Sequence, residues 1–245
     1  MRRGMTDNNF YSDLIDDAVI CFGCSFTSGI DVSENSLNWP YFLYLKDTNQ
    51  RVVNFASPGS SFLYSVSLLE ELCLMKKFTP KFVFFQITNP YRMTIKNKTL
   101  YEGEVIEHYK NFYCYDDDIN QKNKITSGNM SEKWQENYFL AYDSDLSKHT
   151  HDRAQLIYIK HILKEIPHII ISQEVNKSVD QLITNNNISL PNVDLNVINF
   201  FGGHEEYNQY TVDNGMHLGK EGLKKQADIL YSLMKKKLNE KDIVS

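Results

Sequence analysis

Short, nearly continuous apolar runs recur along the chain at Ala18–Phe22, Val52–Phe55, Phe82–Ile87, His168–Ser172 and Val193–Phe200. Each is rich in β-branched or aromatic residues, and most lack the strict alternation of a strand with one wet face. Strands covered on both faces read this way. Between the runs, Ser61–Lys76 and Asp152–Glu165 repeat apolar residues at helical spacing. Near the C-terminus, Leu223, Ala227, Leu230 and Met234 fall on one helical stripe with lysines opposite. Pro80 and Pro167 stand just ahead of two runs, where a helix must already have ended. Strands alternating with helices predict an α/β fold: a three-layer α/β/α sandwich around a central, mainly parallel five-stranded sheet.

One stretch breaks this rhythm. From about Met93 to Thr150 the chain is polar and aromatic, with Asp116-Asp117-Asp118, Tyr101, Tyr109, Tyr113, Tyr115, Trp134 and Tyr138. A connection of this length in a compact domain is usually a lid or a binding insertion. Its aromatics suit stacking against sugar rings, or packing on one another. Asn185-Asn186-Asn187 reads as a turn. The 245 residues suit one domain spanning 1–245 that carries this insertion.

Composition removes several classes of function. Lys and Arg number 26 against 31 Asp and Glu, a net charge of −5, so no basic field attracts nucleic acid or anionic lipid. No run approaches the roughly 18 apolar residues of a membrane span. The basic start, Met1-Arg2-Arg3-Gly4, is followed by Thr6-Asp7-Asn8-Asn9 where a signal peptide would have its apolar core. A cytoplasmic protein with no membrane partner is expected. The four cysteines, Cys21, Cys24, Cys73 and Cys114, are few and unevenly spaced, which agrees with a reducing compartment. Cys21 and Cys24 have the spacing of a redox pair, but they lie in a strand and its turn, which have another explanation.

That explanation lies where the strands end. The first run leads straight into Gly23-Cys24-Ser25-Phe26-Thr27-Ser28-Gly29. Open α/β sheets place ligands at the carboxyl ends of their strands, and a serine opening the next helix lies beside backbone N–H groups able to hold an anion. The second run ends in Ala56-Ser57-Pro58-Gly59-Ser60-Ser61 and the third in Thr88-Asn89-Pro90. Asp213-Asn214-Gly215-Met216-His217 precedes the final helix. A serine, two candidate oxyanion donors and an acid–histidine pair are the parts that acyl transfer requires.

Four blocks, in order, resemble the SGNH or GDSL-like hydrolase family: Gly23-x-Ser25-x-Thr27-x-Gly29, Asn54 with Gly59, Thr88-Asn89, and His217 followed by Leu218-Gly219-Lys220-Glu221-Gly222. The resemblance implies the flavodoxin-like SGNH fold, with Ser25 as nucleophile and His217 as its base. It further implies an oxyanion hole made by the N–H groups of Ser25 and Gly59 and the Asn89 side chain, and needs no cofactor or metal. Leu37-Asn38-Trp39-Pro40 suits the opening of a first helix, with Pro40 in its first turn. Three positions depart from the family pattern. Cys24 stands where Asp usually precedes the nucleophile, and Ile87-Thr88-Asn89-Pro90 replaces Gly-Thr-Asn-Asp. The acid normally lies three residues before the histidine, where this chain has Asn214. Asp213, one residue earlier, is the preferred partner of His217, and Gly215 would ease the longer loop. Asn214 is the other choice, fixing the imidazole tautomer without a full charge.

These features imply a serine esterase acting on small-molecule or carbohydrate esters, O-acetyl sugars among them, through an acyl-enzyme. A non-catalytic binding module on the same fold is the alternative from another class, and an acyltransferase using the same Ser–His pair is a third. A nucleotide binder is disfavoured because Gly23–Gly29 lacks the lysine of a phosphate loop. His149-x-His151-Asp152 and His204-Glu205-Glu206 read as solvated helix ends rather than metal sites.

Overall fold

A computed structural model of the chain describes residues 14–29, 37–74, 78–87, 92–101, 104–113, 145–172, 194–212 and 217–244. Its centre is a sheet of five parallel strands in the order β2-β1-β3-β6-β7. These strands are β1 (Val19–Phe22), β2 (Val52–Asn54), β3 (Phe82–Ile87), β6 (His168–Ser172) and β7 (Leu195–Asn196). In register, Val19 lies between Val52 and Phe82, and Phe84 pairs with Ile169.

The twofold alternation of strand side chains divides the apolar runs between two cores. Val19, Cys21, Phe82, Phe84, Ile169 and Ile171 face one side, packed with residues of helices α2 (Trp39–Lys46) and α7 (Lys220–Val244). Ile20, Phe22, Val83, Phe85 and Ile170 face the other, against α3 (Phe62–Cys73) and α4 (Asp145–Ile162). Helices therefore cover both faces, giving the three layers that the near-continuous apolar runs predict. Aromatic contacts bind the layers: Trp39 meets Phe84 edge-on at 5.5 Å, and Phe22 stacks on Phe85 at 5.3 Å. Leu223, Ala227, Leu230 and Met234 of α7 are all buried as one stripe. Each large aliphatic or aromatic side chain so buried contributes roughly 1.5–3 kcal/mol.

The helices begin where the sequence supplies caps. Asn38 accepts the Tyr41 N–H at 2.7 Å, and Pro40 sits in the first turn of α2. Ser61 accepts the Tyr64 N–H at 3.2 Å and opens α3. Satisfying these orphan donors stabilises a helix start by about 1 kcal/mol.

One expectation needs correction. The run Val193–Phe200 is not one strand: β7 ends at Asn196, and Val197–Phe200 winds into a short helix, α5. The cause is a cap, because the Asn196 side chain accepts the Asn199 N–H at 3.2 Å and turns the backbone. The stretch from Met93 to Thr150, expected as an insertion, contains regular structure. It holds two antiparallel strands, β4 (Arg92–Tyr101) and β5 (Glu104–Tyr113), which form a separate two-stranded sheet. Helix α4 then begins at Asp145 rather than Asp152. A further short helix, α6 (His204–Asn208), leads to the loop before α7.

Candidate active site

At the carboxyl end of β1 the chain passes through Gly23 and Cys24 into a single helical turn, α1 (Ser25–Ser28). Ser25 opens this turn and is 7% exposed. The Cys24 carbonyl accepts the N–H groups of Thr27 and Ser28 at 3.0 and 2.9 Å. Gly29 closes the turn in the left-handed conformation, with φ at 78°, and donates its N–H to the Ser25 carbonyl at 2.9 Å. A side chain there would be strained and would meet Asn38 Cβ at 2.7 Å, so glycine is required.

One helical turn has little stability of its own, and the neighbouring strands' loops hold it. The Gly23 carbonyl accepts the Ser57 N–H at 3.1 Å and the Ser60 hydroxyl at 3.0 Å. Asn54, the last residue of β2, donates its amide to the Thr27 carbonyl at 3.3 Å and accepts the Ala56 N–H at 3.0 Å. The loop it begins turns at Gly59, whose φ is 70°. Thr27 Oγ1 donates to Gln86 Oε1, on β3, and both residues are fully buried.

His217 approaches from the other end of the chain. A β-bridge between Thr211 and Leu218 pinches the loop ahead of α7. The Val212 N–H donates to the His217 carbonyl at 2.9 Å, and the Gly219 N–H to the Tyr210 carbonyl at 2.7 Å. The imidazole lies 4.7 Å, centroid to centroid, from the Phe26 ring, tilted by 34°. Its Nε2 is 2.9 Å from Ser25 Oγ, a contact between residues 192 positions apart. This distance allows direct proton transfer between hydroxyl and imidazole.

The structure thus brings together Ser25 and His217, with Gly59 in a loop bound to the same turn. Asp213, Asn214 and Asn89 lie outside the described residues. Sequence reasoning missed Phe26 and Gln86. Nothing in the motif marks Phe26 as a neighbour of the histidine. Gln86 carried a signal, being the one amide in the apolar run Phe82–Ile87.

Cys21 points into the core shared with α2 and α7, and burial pushes its thiol well above the usual range. It and Cys24 are both free and buried. His204, Glu205 and Glu206 form the first turn of α6, while the side chains of His149, His151 and Asp152 lie outside the described residues. Among the described residues no three His, Cys, Asp or Glu side chains gather into a metal-binding group. None of the described helices is long and apolar enough to cross a membrane.

No protein-family model matches the sequence, and no curated protein matches it. Solved structures do resemble the fold. One is a lipolytic protein of the G-D-S-L family from Veillonella parvula, 15% identical, with 91% of this chain and 96% of that chain covered and a TM-score of 0.42. Another is an acetyl xylan esterase from the rumen bacterium Butyrivibrio proteoclasticus, 13% identical, with coverage of 92% and 65% and a TM-score of 0.45. A third is a two-domain esterase active on acetylated mannans, 12% identical, with a TM-score of 0.49. The match covers 94% of this chain and 52% of that one, so this chain spans about half its length.

Proposed function

We propose that this chain is a serine esterase of the SGNH type. The observation that carries the reading is the 2.9 Å approach of His217 Nε2 to Ser25 Oγ at the carboxyl edge of the parallel sheet. His217 takes the hydroxyl proton as Ser25 Oγ attacks the ester carbonyl carbon. The carbonyl π electrons move onto its oxygen, which is held by the N–H groups of Ser25 and Gly59 and the Asn89 amide. Each such donor is typically worth roughly 10²–10³ in kcat. Collapse of the intermediate expels the alcohol, which leaves with the proton from His217, and an acyl-serine remains. Water then attacks this ester, giving its proton to His217, and Ser25 departs with that proton as the acid is released. Asp213 orients the imidazole and stabilises its charged form.

The substrate class we assign is an O-acetyl or similarly short acyl ester on a carbohydrate. The support is the aromatic stretch beyond β3. Tyr109 and Tyr113 lie on β5, opposite Lys96 and Arg92 of β4, and Tyr115, Trp134 and Tyr138 follow in sequence.

Hydrolysis of p-nitrophenyl acetate and butyrate by the wild type and by Ser25→Ala tests the proposal. Turnover that requires Ser25 and favours acetate is expected. Equal background rates from both proteins would remove the esterase reading.

A further inference from the structure

A fully buried amide in a core strand demands a partner, because an unpaired one carries the whole cost of its desolvation. Gln86 is such a residue. It occupies the next-to-last position of β3, between Phe85 and Ile87, and is 0% exposed. Its Oε1 accepts the hydroxyl of Thr27, equally buried and two residues beyond Ser25. The pair joins residues 59 positions apart and so ties α1 to the centre of the sheet. Gly23 completes the arrangement, since a Cβ there would lie 2.3 Å from Thr27 Oγ1 and 2.8 Å from Gln86 Oε1. A side chain at the residue leading into the turn would push the hydroxyl and the amide from their places.

Building on the esterase reading, we infer that Thr27 and Gln86 are positioning residues that set the placement of the Ser25 hydroxyl against His217. Three points support this. The turn α1 spans only Ser25–Ser28 and has no internal means of fixing its height above the sheet. The second tie to Thr27, from the Asn54 amide, is longer at 3.3 Å and grips the backbone rather than the side chain. Thr27 shares the turn with Ser25, so movement of one carries the other. Misplacing a reacting group by about 1 Å can reduce rate by about 10²-fold. The pair touches neither substrate nor reacting atoms, and its effect passes through Ser25.

The test uses the rate at which a fluorophosphonate labels the protein, the kcat and KM for p-nitrophenyl acetate, and the thermal midpoint. Thr27→Val keeps the branched shape and removes the donor. It is expected to slow labelling and kcat by about ten- to a hundredfold with KM little changed. Thr27→Ser, which restores the hydroxyl, is expected to recover most of the rate. The double variant Thr27→Val/Gln86→Met replaces both polar partners with apolar groups of similar size, and such exchanges are often nearly neutral for stability. It is therefore expected to fold near the wild-type midpoint yet remain slow, which a merely structural pair would not do. A double variant that regains the wild-type rate together with its midpoint overturns the assignment. A wild type labelled no faster than Ser25→Ala overturns the esterase reading and the assignment with it.

Discussion

Both edges of the central sheet carry polar bonds, and they differ in what those bonds join. At the amino edge the partners are largely backbone. The Asp17 N–H donates to the Thr79 carbonyl at 3.0 Å, and the Gln50 amide donates to the Asp17 carbonyl at 2.9 Å. Lys237 reaches the His168 carbonyl at 2.8 Å and Asp194 Oδ1 at 3.1 Å, while Asp194 Oδ2 accepts the Ile170 N–H at 2.7 Å. At the carboxyl edge, the bond between Ser25 and His217 joins two side chains that can exchange a proton. On the esterase reading, the same hydrogen-bond chemistry closes one edge and arms the other. Substitutions at the two edges should therefore separate stability from activity.

The largest separation is expected from Ser25→Ala and His217→Ala. Each should lower kcat for an activated ester on the order of 10⁶-fold, as loss of a nucleophile or its base does in serine hydrolases. The double variant should be no slower than either alone, because the two groups act as a unit. Thermal melts should show midpoints close to the wild type. If the double variant multiplied the single losses, Ser25 and His217 would be acting independently.

Next in size is the choice between Asp213 and Asn214. Removing the carboxylate of a serine triad costs on the order of 10⁴ in rate. Asp213→Ala should approach that loss and Asn214→Ala should fall far short of it, measured as kcat on p-nitrophenyl acetate. The reverse order would assign the orienting role to Asn214 and its amide oxygen.

The sequence discloses the two edges unequally. Five apolar runs, two well-placed prolines and the α7 stripe are enough to predict a sheet covered on both faces. The four blocks single out Ser25 and His217 despite the distance between them in the chain. Local polar groups acting across the fold are harder to read. Asn196 looks like one more residue of an apolar run until its side chain is seen capping α5. Gln86 is visible as an amide among aromatics, but its partner Thr27 comes from a turn that only the β1–β3 pairing brings near. The β4–β5 hairpin was hidden by its composition, since lysines, asparagines and glutamates interrupt its β-branched residues.

At the amino edge, Asp194→Ala removes an acceptor for a backbone N–H and the partner of Lys237 together. It should lower unfolding free energy by about 1–3 kcal/mol and leave kcat/KM for the acetate ester unchanged. Lys237→Met should cost less, because the Lys237–Asp194 ion pair is partly exposed, at 38% and 25%, and such pairs are worth at most about 1 kcal/mol. Urea titration and ester kinetics on the same preparations compare the two effects. A fall in kcat/KM from either variant would show the edges to be coupled.

The last effect is one of pH, and it lies on the helix that links the edges. Helix α3 starts at the Ser61 cap, next to Ser60, whose hydroxyl bonds the Gly23 carbonyl ahead of α1, and ends at Cys73. Burial, aided by the charge of Glu70, raises the Cys73 thiol from 9.0 to about 11. An unfolded chain would lose this proton near pH 9, whereas the folded chain keeps it until about 11. The folded state therefore binds more protons between those values, and its stability falls as pH rises through them. Below pH 9 the contribution is complete. Cys73→Ala abolishes the titration, so the gap between wild-type and variant midpoints should shift against the wild type between pH 8 and 10.5. Glu70→Gln is a poorer control, because Glu70 also accepts a hydrogen bond from Tyr158 at 2.5 Å and raises that phenol's pKa. A gap that stays constant with pH would mean that folding shields Cys73 no better than unfolding does. Ester hydrolysis corrected for the folded fraction should not distinguish wild type from Cys73→Ala, since the thiol lies at the far end of α3 from the Ser61 cap.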